Sequence, residues 1–396
     1  MMKKLLFGLL TLTLIIFISS CQKEDEIAKQ DLPQVNDELI AGQYIVVLNN
    51  STNKAFSELK YAEKVQFVKQ EAIQLMNKIG SNESAVLNSF GTALRGFSAK
   101  LSDEQLANLK NDPTVSYIIQ DRMFNLGNMR ILRGKPVPVP VDPPAETIPY
   151  GITRVGYGDG TGRTAWIIDT GVDLDHPDLN VDASRGYDFI NNDAFADDDN
   201  GHGSHCAGTV AGINNDIGVV GVAANATIVP VKVLDKRGSG AYSVIIAGVD
   251  FVAANASPGD AANMSLGGGV YEPIDAAVFA ASEHGIFFAL AAGNESDDAL
   301  NHSPARVNGQ YIWTTSAMDI NDNWAYFSNY GTPVDYCMPG YNIYSTYMNG
   351  GYTTMSGTSM AAPHMCGVLL MTNGNPATDG YVNGDPDGDP DPIAHL

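Results

Sequence analysis

The chain has 396 residues, 44% of them hydrophobic, which excludes a disordered polymer and is enough for two or three domains with a buried core. With 45 acidic and 23 basic residues the formal charge is -22, which repels phosphate and argues against a nucleic-acid or anionic-membrane partner. The same excess suits a soluble protein that holds cations.

Residues 1–20 carry Lys3 and Lys4, an apolar run from Leu5 to Ile18, then small Ser19 and Ser20 before Cys21, the pattern of an export signal. The run is too short, and too closely followed by Gln22-Lys23-Glu24-Asp25-Glu26, for a spanning helix. Ile18-Ser19-Ser20-Cys21 resembles a bacterial lipoprotein box in which Cys21 becomes the lipidated first residue; simple secretion with Cys21 left in a cleaved signal is the alternative. The expected location is therefore the cell envelope or the outside, with membrane contact only through a lipid on Cys21. Cys206, Cys337 and Cys366 are an odd, widely spaced set that frames no disulfide scaffold; a Cys337–Cys366 pair and buried free thiols both stay open.

Residues 21–40 are polar and read as a tether. Gln43 to Leu48 is an apolar strand, and Phe56, Leu59, Val65, Phe67 and Ile73 mark a helical stretch. A strand is predicted at Ala93–Lys100, a capped helix from Ser102-Asp103-Glu104-Gln105, and a strand at Val115–Gln120. Together 41–122 form a small α+β unit, an open sheet covered by two helices. Residues 123–147 are basic and proline-rich, with Arg130, Arg133, Lys135, Pro136, Pro138 and Pro140; they predict an accessible, extended linker where a processing cut is expected. From 148 to 376, glycine-rich sequence with alternating strand and helix signals predicts an α/β domain with a mostly parallel sheet. Residues 377–396, with Asn383-Gly384-Asp385-Pro386-Asp387-Gly388-Asp389-Pro390-Asp391-Pro392, read as a solvated acidic tail that packs no core.

Four segments carry chemistry. Thr164-Ala165-Trp166-Ile167-Ile168 delivers Asp169 at the C-terminal end of a strand, where parallel sheets present functional groups; a turn-capping aspartate is the plain alternative. Asn200-Gly201-His202-Gly203-Ser204-His205-Cys206 leads into a closely packed helix. Histidines three apart also occur in helical zinc sites, but no third His or Glu lies at helical spacing and Asp197, Asp198 and Asp199 do not select zinc, which favours one general base and one structural histidine. Ser356-Gly357-Thr358-Ser359-Met360-Ala361-Ala362-Pro363-His364 places Ser359 over a helix N-terminus whose dipole and amides favour an oxyanion, with Pro363 expected in the first turn. A capping serine before a core helix is the alternative there. Leu290-Ala291-Ala292-Gly293-Asn294-Glu295 ends a strand in an amide that can donate to an oxyanion without adding a titratable group; a plain turn residue is the alternative.

The motifs Asp169-Thr170-Gly171-Val172, His202-Gly203-Ser204-His205, Ala292-Gly293-Asn294 and Gly357-Thr358-Ser359-Met360-Ala361-Ala362-Pro363 occur in the order of the subtilisin family, which the chain resembles over nearly all of 148–372. Gly96-Phe97-Ser98-Ala99-Lys100-Leu101 and Val115-Ser116-Tyr117-Ile118-Ile119 resemble the inhibitory pro-domain that precedes secreted subtilisins. The resemblance implies a three-layer domain preceded by a pro-domain that assists folding and then inhibits, with Asp169, His202, Ser359 and Asn294 as catalytic residues. Gly238-Ser239-Gly240-Ala241-Tyr242 and Ser265-Leu266-Gly267-Gly268 are similar to edge strands that sandwich a bound peptide, with Ala292 and Gly293 beside them. Extended polypeptide substrates and a roomy, apolar or broad primary specificity are therefore expected.

Asp178 and the loop Ile213-Asn214-Asn215-Asp216-Ile217-Gly218-Val219, with Glu146, match the family's strong calcium site; Glu146, Asp178, Ile213, Asn215, Ile217 and Val219 are the candidate ligands, and an ion-free turn is the alternative. Cys206 resembles a thiol found beneath the histidine in some relatives. The helix after Ser359 meets Asn373-Gly374-Asn375-Pro376, so the family's last core helix is expected to be absent or replaced by the tail. The expected function is an autoprocessed, monomeric serine endopeptidase; a non-catalytic surface-binding lipoprotein and a peptide ligase on the same fold are the alternatives.

Overall fold

The computed structural model describes residues 37–49, 54–129, 132–133 and 143–396. The export signal, Cys21, nearly all of the tether, and linker residues 130–131 and 134–142 lie outside the described residues. In the small unit β1 (Glu38–Leu48), α1 (Tyr61–Lys78), β2 (Val86–Phe90), β3 (Gly96–Lys100), α2 (Asp103–Leu109) and β4 (Val115–Asn125) follow one another. The strands pair antiparallel in the order β4–β1–β3–β2. Alternate residues Val46, Leu48, Phe97 and Ala99 point to one face, where they pack against Val68, Ala72, Leu75, Met76 and Leu109 of the helices. Helix α2 opens with a reciprocal cap: Ser102 Oγ accepts from the Gln105 amide at 3.2 Å, and Gln105 Oε1 accepts from the Ser102 amide at 3.0 Å.

Three strand boundaries differ from expectation. Strand β1 begins at Glu38, not Gln43, so residues 38–40 are strand and not tether: Glu38 and Leu39 pair with Met123 and Arg122 of β4. The segment predicted as one strand from Ala93 begins at Gly96, because β2 and β3 form a hairpin in which Phe90 faces Gly96. A Cβ at Gly96 would lie 2.4 Å from the Val46 carbonyl, so only glycine fits there. Strand β4 runs to Asn125, so residues 123–125 are strand, not linker. Their partner lies far away in sequence, which is why local composition did not reveal it.

That partner belongs to the larger unit. There the chain runs through α3 (Tyr150–Val155), β6 (Thr164–Asp169), β7 (Tyr187–Asp188), α4 (His202–Ala211), β8 (Thr227–Lys232), β9 (Ser239–Ala241), α5 (Tyr242–Asn255), β10 (Ala261–Met264), α6 (Glu272–Ser282) and β11 (Phe287–Ala291). It continues through β12 (Ile312–Met318), β13 (Val334–Pro339), β14 (Ile343–Tyr347), β15 (Gly351–Ser356), α7 (Thr358–Thr372), β16 (Ala377–Tyr381) and β17 (Pro392–His395), while β5 (Leu132–Arg133) precedes them all. The main sheet is ordered β16–β17–β13–β12–β11–β10–β6–β8–β7, and every pair except β16–β17 is parallel. Both faces are covered: Trp166 and Ile168 of β6 join the α5–α6 side, while Ala165 and Ile167 join the α4–α7 side. A parallel sheet buried on both faces needs such near-continuous apolar strands.

The small unit docks its second sheet face, including Ile45, Val47 and Phe90, against Ile245, Ile246 and Val249 of α5. Buried Asp250 of α5 accepts the amides of Gly91, Thr92 and Ala93 at 3.0, 2.6 and 2.6 Å, and Asp121 Oδ1 accepts the Ser243 amide at the start of α5.

The acidic tail needs correction. Strand β17 adds to the sheet beside β13 with Ile393 opposite Cys337, and Ile393 and Ala394 are fully buried. The aspartate-rich residues between β16 and β17 form the turn of a hairpin pairing Ala377 with His395 and Thr378 with Ala394. Helix α7 stops at Thr372 with Asn373 at φ +52°, and a sheet-edge hairpin follows it rather than a further helix. Composition misled because a single apolar pair suffices to anchor this strand. The three described cysteines are buried and free, so Cys337 and Cys366 do not pair.

Truncating Ile393 to Ala should lower the unfolding free energy by about 2–4 kcal/mol, as for other fully buried aliphatics. A denaturant titration on the Ser359→Ala background measures it; an unchanged midpoint would show that the tail does not pack.

Candidate active site

Asp169 ends β6 and His202 begins α4, and the structure brings them together. Asp169 Oδ1 and Oδ2 lie 2.8 and 2.9 Å from His202 Nδ1, and the Thr170 amide donates to Oδ1 at 2.7 Å. Both side chains are wholly buried. His202 Nδ1 therefore carries the proton that faces the carboxylate, which leaves Nε2 as the acceptor. His205 turns elsewhere: its Nε2 meets the Ile343 carbonyl at 3.0 Å, and burial followed by the charge of His202 pushes its pKa down to about 3. The two histidines do not converge, so they form no zinc pair. Asp169, His202 and Cys206 do bring ligand-type atoms within 4.8 Å, but the first two are engaged with each other and the thiol points to a carbonyl.

Helix α4 starts at Gly201 with φ +97° and no side-chain cap of its own. Asp198 supplies one. Its Oδ1 accepts from the amides of Asn200 and Gly201 and from Thr170 Oγ1, and its Oδ2 accepts from Ser204 N and Oγ, all within 2.9 Å. Thr170 Oγ1 in turn accepts the Gly203 amide at 2.9 Å, so a buried carboxylate ties the turn after Asp169 to the helix that carries His202. In the sequence Asp198 stands out only as one of three neighbouring hard donors. The signal that could have found it is an acidic residue just before Asn200-Gly201 and a helix.

Ser359 is the second residue of α7, among the amides that find no partner inside the helix. Its hydroxyl donates to the Ser265 carbonyl at 3.0 Å, and His202 Nε2 has no hydrogen-bond partner among the described residues. Pro363 is not in the first turn as expected; it is the sixth helical residue and cannot donate to the Ser359 carbonyl. Ser265 Oγ at 2.7 Å and Cys206 Sγ at 3.4 Å donate to that carbonyl instead. Burial raises the Cys206 thiol well above its usual range, so it stays a protonated donor.

Asn294 follows β11. Its Oδ1 accepts from Thr358 N at 2.8 Å and Thr358 Oγ1 at 3.0 Å, and Thr358 Oγ1 accepts the Gly293 amide at 3.1 Å. With Oδ1 held by two donors, Nδ2 is the donating end, beside Gly357 at the start of α7. Asp169, His202, Ser359 and Asn294 thus share one site, fed by the ends of β6 and β11 and the starts of α4 and α7. Such an arrangement can deliver a hydroxyl to a carbonyl, take its proton and hold the resulting oxyanion.

The edge beside it holds an extended chain. Ser239, Gly240 and Ala241 of β9 pair antiparallel with Asn125, Phe124 and Met123 of β4, and the Leu126 amide donates to the Gly238 carbonyl at 2.8 Å. Phe124 packs edge-on against Tyr242 at 6.3 Å, and the Tyr242 hydroxyl donates to Asp37 at 3.0 Å. Leu266 is buried, a Cβ on Gly267 would sit tightly against the Ser303 carbonyl at 3.1 Å, and Gly293 leaves no room for a Cβ, which would lie 2.2 Å from Asn329 Nδ2. Ala292 is fixed by its amide to the Thr315 carbonyl at 3.0 Å.

The candidate calcium ligands also gather. Buried Asp178 accepts from Asn215 Nδ2 at 3.1 Å, Val219 N at 2.8 Å and the Tyr352 hydroxyl at 3.3 Å. Glu146 Oε2 accepts the Asn215 amide, Asn215 Oδ1 accepts the Ile217 amide at 2.7 Å, and the Ile213 amide donates to the Asp178 carbonyl at 3.1 Å. Burial, with a smaller push from the Glu146 charge, raises Asp178 to about 7. Two carboxylates and an amide oxygen, brought by Glu146, Asp178 and Asn215 to the 213–219 loop, are donor types that fit a hard divalent cation.

A model of the subtilase family matches residues 160–379, and one of peptidase inhibitor I9 matches residues 43–126. The chain is 42% identical over 349 residues to alkaline serine exoprotease A of Vibrio alginolyticus, covering 85% of this chain and 61% of that protein. It is 34% identical over 375 residues to the extracellular serine proteinase of Thermus sp. strain Rt41A, covering 92% of this chain and 89% of that one. A solved cold-adapted subtilisin-like serine proteinase is similar at 43% identity and a TM-score of 0.52, over 56% of this chain and 84% of its own. The chain thus spans less than two thirds of the Vibrio relative.

Replacing Asp198 by Ala should leave buried donors unmatched and reduce stability by about 1–3 kcal/mol. Chemical denaturation of the variant checks this, and a loss below about 0.5 kcal/mol would show that the clamp is not needed.

Proposed function

The chain belongs to the subtilase family, and on that premise we propose that it is a serine endopeptidase, exported as a proenzyme and freed by its own active site. The observation that carries the reading is the convergence of Asp169, His202, Ser359 and Asn294 beside an edge strand that already grips an extended polypeptide. Ser359 Oγ turns from Ser265 to His202 Nε2, gives it the proton and bonds to the scissile carbonyl carbon. The carbonyl becomes an oxyanion, which Asn294 Nδ2 and the Ser359 amide hold. His202 then passes its proton to the leaving amine as the peptide bond breaks, and Asp169 steadies the charged ring throughout. Water hydrolyses the ester by the same route in reverse, with His202 again the base.

Substrates are extended polypeptides, because β9 recognises main chain. A roomy, apolar or broad primary specificity is part of the same proposal, with Leu266 and Ala292 as the apolar residues beside the edge. The I9-type unit is the inhibitor in cis, with its strand β4 on β9. Beyond Leu126, Leu132 and Arg133 pair with Ser356 and Met355 just before α7, so the chain meets cleft strands on both sides of Ser359. That pairing supports a self-cut after Leu126 and before Leu132. The sequence through Cys21 supports export, with lipid anchoring at Cys21 as the envelope-bound form. Glu146, Asp178 and Asn215, with the 213–219 loop, would hold Ca²⁺, which would neutralise the buried carboxylates and fix the loop.

Mass spectrometry of wild type and Ser359→Ala tests the central reading. Wild type should release a fragment ending between residues 126 and 132 while the variant stays uncut there; equal cutting in both would overturn self-processing. For calcium, chelation should lower the Tm of Ser359→Ala by several degrees, as loss of about 2.7 kcal/mol at 100-fold Kd implies. Asp178→Asn should remove that dependence. A Tm indifferent to chelation in the unsubstituted site would reject the ion.

A further inference from the structure

Asn294 sits in a backbone segment that it cannot hold in place by itself. Gly293 on one side has φ +109° and Ser296 on the other has φ +56°, both in the left-handed region. One residue from a distant loop binds both flanks of Asn294: Asn329, fully buried between β12 and β13.

Asn329 makes five hydrogen bonds to the residues around Asn294. Its amide nitrogen donates to the Gly293 carbonyl at 3.0 Å. Its Oδ1 accepts the amides of Glu295 at 2.9 Å and Asp297 at 3.0 Å, and its Nδ2 donates to the Ala292 carbonyl at 3.0 Å and to Glu295 Oε2 at 2.7 Å. Both flanks of Asn294 are thereby pinned. The fit is close enough that a Cβ on Gly293 would lie 2.2 Å from Asn329 Nδ2. The position calls for an asparagine: it must accept from two amides with one atom and donate with the other. An aspartate would set its own carboxylate oxygen against Glu295 Oε2.

We propose that Asn329 is a positioning residue for the oxyanion, fixing the Ala292–Asp297 backbone so that Asn294 Nδ2 meets the tetrahedral oxygen. The inference rests on the reading of Asn294 as the oxyanion donor. Asn329 works through the backbone, so its removal should damage the transition state more than ground-state binding. A misplaced donor of this kind costs on the order of 10- to 100-fold in rate.

The experiment measures kcat and KM on a peptide substrate for wild type, Asn294→Ala, Asn329→Ala and the double variant, with Ki values for a peptide aldehyde and for a non-reacting peptide of the same sequence. Asn329→Ala should lower kcat by about 10- to 100-fold with KM within about threefold. Aldehyde affinity, which needs the oxyanion held, should fall with kcat/KM, and affinity for the non-reacting peptide should not. On the Asn294→Ala background the further loss should shrink to less than about threefold, since both act on one donor. Should Asn329→Ala fail to mature, Asn329→Ser, which keeps a short acceptor, is read by the same criteria. An unchanged kcat, a loss shared equally by KM and the non-reacting peptide, or an undiminished loss on Asn294→Ala would overturn the proposal while leaving the peptidase reading intact. A wild-type chain that hydrolyses nothing would overturn both.

Discussion

Asp169 and His202 meet at 2.8–2.9 Å with neither side chain touching solvent, and the rest of the domain is arranged around that contact. A carboxylate taken out of water is costly unless donors surround it, and here the ring N–H and the Thr170 amide do so. The contact requires the first turn of α4 to press against the end of β6. The approach is so close that a Cβ on Gly203 would lie 2.0 Å from the Gly171 carbonyl. Parallel register then brings the other groups to the same edge: Lys232 ends β8 opposite Asp169, and Asn263 of β10 pairs with both Ile167 and Ala289. Ser265 and Asn294 follow directly from those strands.

The serine proposed as nucleophile is held by an apparent defect. A proline inside a helix leaves a carbonyl without its donor, usually at a cost to stability. In this chain the orphaned carbonyl belongs to Ser359, and Ser265 and Cys206 donate to it, one from β10's end and one from α4. The position of Ser359 is thus set by the end of β10 and by the helix that carries His202. The small unit uses similar economy, since its last strand is both the edge of its own sheet and an extended ligand on β9.

What could be read from sequence divides along a physical line. Asp169, His202, Asn294 and Ser359 sit in short runs whose glycines and small residues are demanded by close packing, so motif and order point to four residues that the structure gathers. Asn329, Asp198 and the role of Pro363 were hidden because each acts on partners remote in the chain or through a helix register known only from the fold. The hairpin that carries Ile393 was misread because proline, aspartate and glycine describe its turn well and its buried residues poorly. Strand β4 was cut short for the opposite reason: its final residues are ordered by β9, more than a hundred residues away. The Cys337–Cys366 question was open from spacing, and the thiols are buried and separate.

The most direct test of the whole account is covalent labelling of the mature enzyme with a phosphonofluoridate, read by intact and peptide mass. The reagent forms a stable tetrahedral adduct only on a hydroxyl activated by a neighbouring base and facing an oxyanion site. One adduct per mature chain, located on Ser359, is the expected result. Labelling that falls on another residue, or a mature chain that hydrolyses peptides without taking up the label, would contradict the central claim.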